Sequence, residues 1–199
     1  MPTTTLHEHA LGLSWVVDEP MQRASHAIAA DGRVWFVDVV DDAVAMDRAG
    51  ALGTPAGVLQ LLDRHPRDCA AVARRLAVPY LRLPSEVPGS PFEVRKVLDV
   101  PRWRELALWW PERAALVVPE AVGTGLYFAV GPGPVGVHPM LRLTPPRGAL
   151  GGLEPQFLLA GHGPPVSGPQ TAAALDDALA RSRRDVPRML GGFLSAARR

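Results

Sequence analysis

The sequence predicts one α+β domain in which parallel and antiparallel strands are both present. A βαβ pattern comes first: an apolar run at 57–62, a polar loop, a helix at 68–76 and a strand at 80–83 follow one another directly. Short apolar segments separated by turn residues come later, and these are typical of antiparallel strands. A chain of 199 residues is long enough for a sizeable core and short enough for a single domain.

The segments around the βαβ pattern have clear local signals. Val34–Val40 (VWFVDVV) is rich in β-branched and aromatic residues and follows an Asp-Gly turn, so we predict a buried strand there. Asp41-Asp42 can cap a short helix over 43–48, and Asp68 can cap the helix that ends at Leu76. Residues 1–25 are expected to be partly irregular.

The second half of the chain is predicted to contain five strands followed by helices. Apolar runs and turn residues place the strands at 93–98, 105–110, 114–118, 126–130 and 157–160. Apolar residues at helical spacing predict a helix over 171–184, and a second amphipathic helix is predicted over 186–199. We therefore treat 170–199 as the C-terminal helical part of one domain spanning 1–199.

Composition excludes some partners. Lys plus Arg (21) nearly balance Asp plus Glu (20), so no global field attracts nucleic acid or an anionic membrane. No apolar run approaches the roughly 20 residues that span a bilayer. The lone cysteine, Cys69, forms no internal disulfide, and a cytoplasmic location is the expectation. A small-molecule ligand fits this composition, whereas the oligomeric state cannot be read from it.

The loop between the predicted strand at 57–62 and the next helix is rich in potential metal ligands. It reads Asp63-Arg64-His65-Pro66-Arg67-Asp68-Cys69, and carboxylate, imidazole and thiolate all bind zinc or iron. Loops at the ends of strands are common active-site positions. A structural interpretation stays open, in which Asp68 caps the helix, Asp63 pairs with Arg64 and Cys69 is a small buried hydrophobe.

A second concentration is Gly161-His162-Gly163, which follows the predicted strand at 157–160 within the segment LLAGHGPPVSG (158–168). The glycines let the backbone turn sharply and expose His162. The two regions together resemble the metallo-β-lactamase superfamily, in which an early loop reads His-x-His-x-Asp-His and a late strand ends in Gly-His-Gly. The resemblance implies an αββα sandwich of two mixed β-sheets with helices on the outer faces and a dinuclear metal site at one edge.

Carried over position by position, this resemblance implies a metal site that has lost many of its ligands. His65 matches the second motif histidine, Asp68 the aspartate and His162 the late histidine, while Asp63 and Cys69 replace the first and last motif histidines. The loop is also one residue longer than the motif.

Two further family ligands are missing from the sequence. No histidine lies between His65 and His138, and Pro132 follows the predicted strand at 126–130 where a metal-bridging aspartate is expected. The resemblance then implies either no metal or a single weakly bound zinc on His65, Asp68, Cys69 and His162, with help from Asp63. The N-terminal His7-Glu8-His9 has a chelating spacing but is given no role, because polar residues near a terminus are usually solvated.

Two functions follow from this decayed site. In the first, the protein has lost dinuclear zinc hydrolysis and binds a small molecule or another protein. In the second, it is a mononuclear metal-dependent hydrolase of an ester, thioester or lactone, with Asp68 taking up the proton. Either way, the Asp63–Cys69 loop and His162 are expected to meet at one edge of the sandwich. The purified protein is expected to carry less than one equivalent of zinc and to hydrolyse generic esters or β-lactams no faster than a His162→Ala control.

Overall fold

The structure is a computed structural model that describes residues 3–188, and its first sheet has six strands whose spatial order follows the chain. Strands β1 to β4 pair antiparallel, whereas β4, β5 and β6 pair parallel, so the sheet is mixed. The parallel pair β5–β6 confirms the predicted βαβ unit. The strands are β1 (Thr4–His9), β2 (Gly12–Val17), β3 (Ala24–Ala30), β4 (Arg33–Val37), β5 (Thr54–Gln60) and β6 (Tyr80–Arg82).

The second sheet has five strands in the order β13-β12-β9-β8-β7. Strands β9 and β12 pair parallel and the other neighbours antiparallel, so this sheet is mixed as well. Its strands are β7 (Glu93–Val100), β8 (Trp103–Trp110), β9 (Ala115–Val118), β12 (Phe157–Ala160) and β13 (Val166–Ser167). A short antiparallel ribbon is formed by β10 (Val122–Gly123) and β11 (Gly136–Val137).

The sheets are accompanied by the helices α1 (Ala43–Gly50), α2 (Cys69–Leu76), α3 (Arg147–Leu150) and α4 (Thr171–Arg181), and residues 185–188 are also helical where the described part ends. At the start of α1 the Asp42 side chain accepts a hydrogen bond from Ala45 N, as the sequence predicted. None of the helices between residues 3 and 188 has the length and apolar character needed to cross a lipid bilayer.

Successive side chains of the buried strands point to opposite faces of their sheet, so one face packs against helices and the other against the second sheet. In β4, Val34 and Phe36 pack in a cluster with side chains of α1 and α2, whereas Trp35 and Val37 pack between the two sheets. In β9, Leu116 packs in a cluster with α4, and its neighbours on the opposite face lie between the sheets. The order of layers is therefore helix, sheet, sheet, helix, which confirms the predicted αββα sandwich.

Three local predictions need correction or fall outside the described residues. The N-terminal segment is largely ordered as β1 and β2, because its backbone completes the edge of the first sheet. The strand predicted at 126–130 is wrong: these residues form a turn closed by hydrogen bonds from Phe128 N and Ala129 N to Gly125 O. Burial of Phe128 explains the apolar run without a strand. Of the helix predicted over 186–199, residues 189–199 lie outside the described part.

Candidate metal centre

The candidate site lies at one edge of the sandwich, where β4, β5, β9 and β12 end. His65 stands in the loop after β5, and His162 follows β12. Their Nε2 atoms are 3.4 Å apart, although 97 positions separate them in the sequence. The prediction that the Asp63–Cys69 loop and His162 meet at the same edge is confirmed.

Glu120 is the third member of the site, and the sequence interpretation missed it. One ligand atom each from His65, Glu120 and His162 lies within 4.8 Å of the others. Glu120 follows β9, and β9 pairs in parallel with β12, so both strands deliver their following residues to the same edge. An acidic residue two positions after the buried segment Ala115–Val118 was the available signal.

His162 is held so that one ring nitrogen faces the site. Its Nδ1 lies 2.8 Å from the Met21 carbonyl oxygen, which can only accept, so Nδ1 carries the proton in the neutral ring and Nε2 has a free lone pair. Phe128 stacks on the ring with centroids 5.1 Å apart. Burial, and to a smaller degree the Arg67 charge, lowers the pKa of His162 to about 3, so the ring is neutral.

His65 has two competing neighbours at Nδ1. Asp38 Oδ2 lies 3.4 Å away and accepts only, whereas Arg67 Nη2 lies 3.3 Å away and donates only. If Nδ1–H faces Asp38, the His65 Nε2 lone pair faces that of His162 and requires a cation between them. If Arg67 donates to Nδ1, Nε2–H can instead donate to His162. The tautomer of His65 therefore decides whether the pair is ready for a metal.

Arg67 is a fixed cation beside this pair. Its guanidinium donates to the carbonyl oxygens of Ala24, Asp38 and Gly161, which tie the ends of β3, β4 and β12 together. The backbone at Arg67 is left-handed with φ of 40°, so the loop holds this residue in a conformation that costs energy. Burial lowers the pKa of Arg67 from its usual value, which reflects the cost of a charge at this depth.

The opposite wall is formed by Arg64, Trp103 and His138 around Glu120. Arg64 Nη2 pairs with Glu120 Oε2, and the guanidinium carbon lies 4.0 Å from the Trp103 ring centroid. His138 Nδ1 accepts from Met140 N at 3.2 Å, so the proton of the neutral ring is on Nε2. That Nε2 lies 3.8 Å from Glu120 Oε1, which is beyond hydrogen-bond distance.

Glu105 holds this wall in place from behind. Its Oε1 accepts from Glu120 N at 2.8 Å and Ala121 N at 2.7 Å, and its Oε2 accepts from Trp103 Nε1 at 2.8 Å. Burial raises the pKa of Glu105 to about 7, while the three donors act in the opposite direction. The carboxyl group thus satisfies two backbone amides of the segment that carries Glu120.

The other residues predicted to bind metal make different contacts. Asp63 Oδ2 accepts from Arg104 N at 3.1 Å, and the exposed Asp68 accepts from Asp41 N at 2.9 Å. Asp68 occupies the N-cap position of α2, but its side chain does not cap the helix. Cys69 is buried and accepts from Val39 N at 3.3 Å. Burial raises the pKa of Cys69 to about 12, so the thiolate expected at the helix start is disfavoured.

The donor set fits one divalent ion and not two. For bonds of about 2.0–2.1 Å in tetrahedral geometry, two ligand nitrogens lie about 3.3–3.5 Å apart. The 3.4 Å between the two Nε2 atoms has this value, and Glu120 supplies a carboxylate. Among residues 3–188, Asp63, Asp68 and Cys69 do not join the cluster of His65, Glu120 and His162, so a second ion lacks ligands, and the Arg67 charge opposes it.

Known proteins are similar to this chain in structure and not in sequence. No protein-family model matches the sequence, and no curated protein matches it. A putative diflavin flavoprotein A 5 from Nostoc sp. PCC 7120 is similar in structure, with a TM-score of 0.59 and 12% identity over 92% of this chain and 98% of that chain.

Two further solved structures are similar. The metallo-β-lactamase FIM-1 from Pseudomonas aeruginosa in its mono-zinc form has a TM-score of 0.57 at 10% identity, covering 92% of this chain and 96% of that chain. TTHA1623 in a di-iron-bound form has a TM-score of 0.54 at 15% identity, covering 92% and 98%. The chain therefore has the metallo-β-lactamase fold, as the two motif regions predicted.

Proposed function

We propose that the protein is a mononuclear metal-dependent hydrolase of a small ester, thioester or lactone, and that it has lost dinuclear zinc hydrolysis. The observation that supports this is the convergence of His65, Glu120 and His162, which offers two imidazole nitrogens and one carboxylate within 4.8 Å. Three protein ligands that leave a coordination position open are the usual protein contribution to a catalytic zinc site.

The residues around the ion have separate roles in this proposal. A divalent ion on His65, Glu120 and His162 supplies a Lewis acid for acyl chemistry at neutral pH. His138 presents Nε2–H beside Glu120, and no residue of 3–188 accepts a hydrogen bond from that atom, so it can donate to the carbonyl oxygen of a substrate. The proposal omits Asp68 as proton acceptor, because its carboxylate is exposed and engaged with Asp41 N.

The second candidate is a metal-free binding module, and the two arginines of the site favour it. Arg64 pairs with Glu120, and Arg67 lies within 3.3 Å of His65 Nδ1, so both potential ligands have partners in the absence of metal. In this alternative the fixed guanidinium of Arg67 replaces the charge that a metal ion provides in the hydrolase.

Zinc titration of metal-free protein separates the two candidates. The hydrolase proposal expects one site that His162→Ala and Glu120→Gln each weaken by about a hundredfold, which is about 2.7 kcal/mol. Asp68→Asn is the matched control, because it removes a nearby carboxylate that does not reach the site, and it should leave the affinity within about twofold.

Activity provides the second readout. Hydrolysis of small esters, thioesters and lactones should rise when zinc is added, and it should be lost in His162→Ala. The binding-module candidate is supported instead if the wild type shows no saturable zinc binding and no turnover that chelators abolish. For protein purified without chelators, less than one equivalent of zinc is still the prediction, because the two arginines compete with the ion.

A further inference from the structure

The Glu120 carboxylate lies between the Arg64 guanidinium and the two histidines of the candidate metal site. One carboxylate oxygen lies within 4.8 Å of a ring nitrogen of each histidine, while Oε2 is paired with Arg64. A guanidinium on the carboxylate neutralises the charge that a divalent ion needs, and it places a positive charge next to the ion. The Arg64–Glu120 pair therefore opposes the binding of a divalent ion at Glu120.

The arginines on the two sides of the site differ in how easily they can leave. Arg67 is partly buried and donates to three carbonyl oxygens from three strand ends. Arg64 rests on Trp103, and 37% of its side chain is exposed, against 11% for Glu120. A dissolved anion can thus reach the guanidinium of Arg64 while Glu120 stays in the site.

We propose that Arg64 is an anion-operated latch on the metal site: it withholds Glu120 until a carboxylate-bearing ligand takes over the guanidinium. This rests on the mononuclear metal site proposed above. The ligand or substrate is then an acyl compound that also carries a carboxylate, because a planar carboxylate can replace Glu120 on the same face of the guanidinium. Trp103 keeps the guanidinium at the rim, where it holds that carboxylate next to the ion.

The latch makes metal binding and anion binding mutually dependent. An anion that engages Arg64 releases Glu120 and raises zinc affinity, and zinc must raise the affinity for the anion by the same factor. Zinc affinity is therefore low without ligand and rises when a carboxylate is present.

Competition against a chromophoric zinc chelator tests the latch directly. Arg64→Gln should bind zinc about tenfold tighter than wild type, because the competing charge is gone. Arg64→Lys keeps a charge and should stay closer to wild type. Arg104→Gln removes the same charge from an exposed position on β8 and should leave zinc affinity unchanged. Thermal unfolding of each variant checks that the fold is intact.

Acetate at constant ionic strength, with chloride as the reference anion, tests the second half of the proposal. Acetate should raise the zinc affinity of the wild type by about threefold or more and leave Arg64→Gln unchanged. An equal acetate effect in both proteins means that acetate binds zinc itself, and this overturns the latch.

The latch and the metal site can fail separately. If Arg64→Gln binds zinc no tighter than the wild type while Glu120→Gln binds it more weakly, the latch is wrong and the mononuclear site stands. If Glu120→Gln and His162→Ala leave the zinc affinity of the Arg64→Gln background unchanged, the site itself is wrong.

Discussion

Two histidine pairs in this sandwich differ in how their ring nitrogens are hydrogen-bonded. One is the proposed metal pair of His65 and His162. The other is a histidine relay of His9, Ser14 and His26, in which every ring nitrogen has a partner. All four rings are partly or fully buried. Burial alone therefore does not distinguish a ligand histidine from a structural one.

The relay is fixed in one direction by backbone groups at its ends. Leu11 N donates to His9 Nδ1 at 3.3 Å, and His9 Nε2 lies 2.9 Å from Ser14 Oγ. Ser14 Oγ lies 2.7 Å from His26 Nδ1, and His26 Nε2 lies 3.1 Å from the carbonyl oxygen of Ala160 in the other sheet. An N–H at one end and a carbonyl at the other allow one set of donors and acceptors, in which both rings are neutral.

In the proposed metal pair, a backbone group fixes the tautomer of one ring, that of His162. Met21 O fixes the tautomer of His162, whereas His65 lies between a donor and an acceptor, so a lone pair is left over when it turns towards Asp38. An imidazole anchored at one nitrogen and open at the other is the arrangement found for metal-binding histidines. The comparison teaches that the hydrogen bonds of the ring nitrogens, more than the depth of burial, separate candidate ligand histidines from structural ones.

The largest expected effect is the acid sensitivity of the relay. The pKa is lowered to about 3 for His26 and to about 4 for His9, mainly by burial, against 6.5 in the unfolded chain. Their stabilising contribution is therefore complete above pH 6.5 and is lost as the pH falls towards 4 and then 3. Each such ring contributes a slope of about 1.4 kcal/mol per pH unit in that range.

The glutamine variant His26→Gln isolates this effect. Its amide can donate to Ala160 O and accept from Ser14 without titrating, so urea unfolding between pH 7 and pH 4.5 should show a shallower loss of stability than the wild type. Equal slopes for the two proteins would mean that His26 does not carry the pH dependence, and the description of the relay as neutral would be wrong.

Zinc binding should separate the two assemblies next. His162→Ala should lower zinc affinity about a hundredfold, whereas His26→Gln should change it by less than about twofold, because the relay offers no free lone pair. Titration calorimetry on both variants measures this. A comparable loss in both would remove the distinction between a ligand ring and a structural ring.

A smaller effect is expected for the hydroxyl in the middle of the relay. Ser14→Ala leaves His9 Nε2–H and His26 Nδ1 without their shared partner, which should lower the free energy of unfolding by about 1–3 kcal/mol. Zinc affinity should not respond. Ser25→Ala measures the cost of losing a buried hydroxyl outside the relay, because that hydroxyl contacts the backbone of Asp38 and Val40. An unaltered stability in Ser14→Ala would show that the relay is not continuous.

The sequence predicted the layers and one half of the site. Alternating and continuous apolar runs identified β4, β5, β9 and β12, and the Gly-His-Gly segment identified His162. It did not predict Glu120, because only the parallel pairing of β9 with β12 brings that residue to His162. The role given to Cys69 depended on a thiolate, and its burial under Val39 could not be read from the loop.

Two errors in the fold have a similar origin. The polar residues of β1 are tolerated because the strand lies at the edge of its sheet, so they give no apolar pattern to detect. The apolar run at 126–130 is a turn whose Phe128 fills the space beside His162. A short apolar run reports burial, and it does not report the backbone conformation that achieves it.

The positions of the three carbonyls that bind Arg67 determine the stage of synthesis at which the site can assemble. Ala24 and Asp38 leave the ribosome before Arg67, but Gly161 follows it by 94 positions, and His162 comes directly after. A nascent chain that has emerged only through β9 holds a guanidinium with part of its acceptors and no late histidine. The edge of the sandwich thus stays incomplete until β12 has docked beside β9, so an ion that meets the growing chain earlier finds no assembled ligand set.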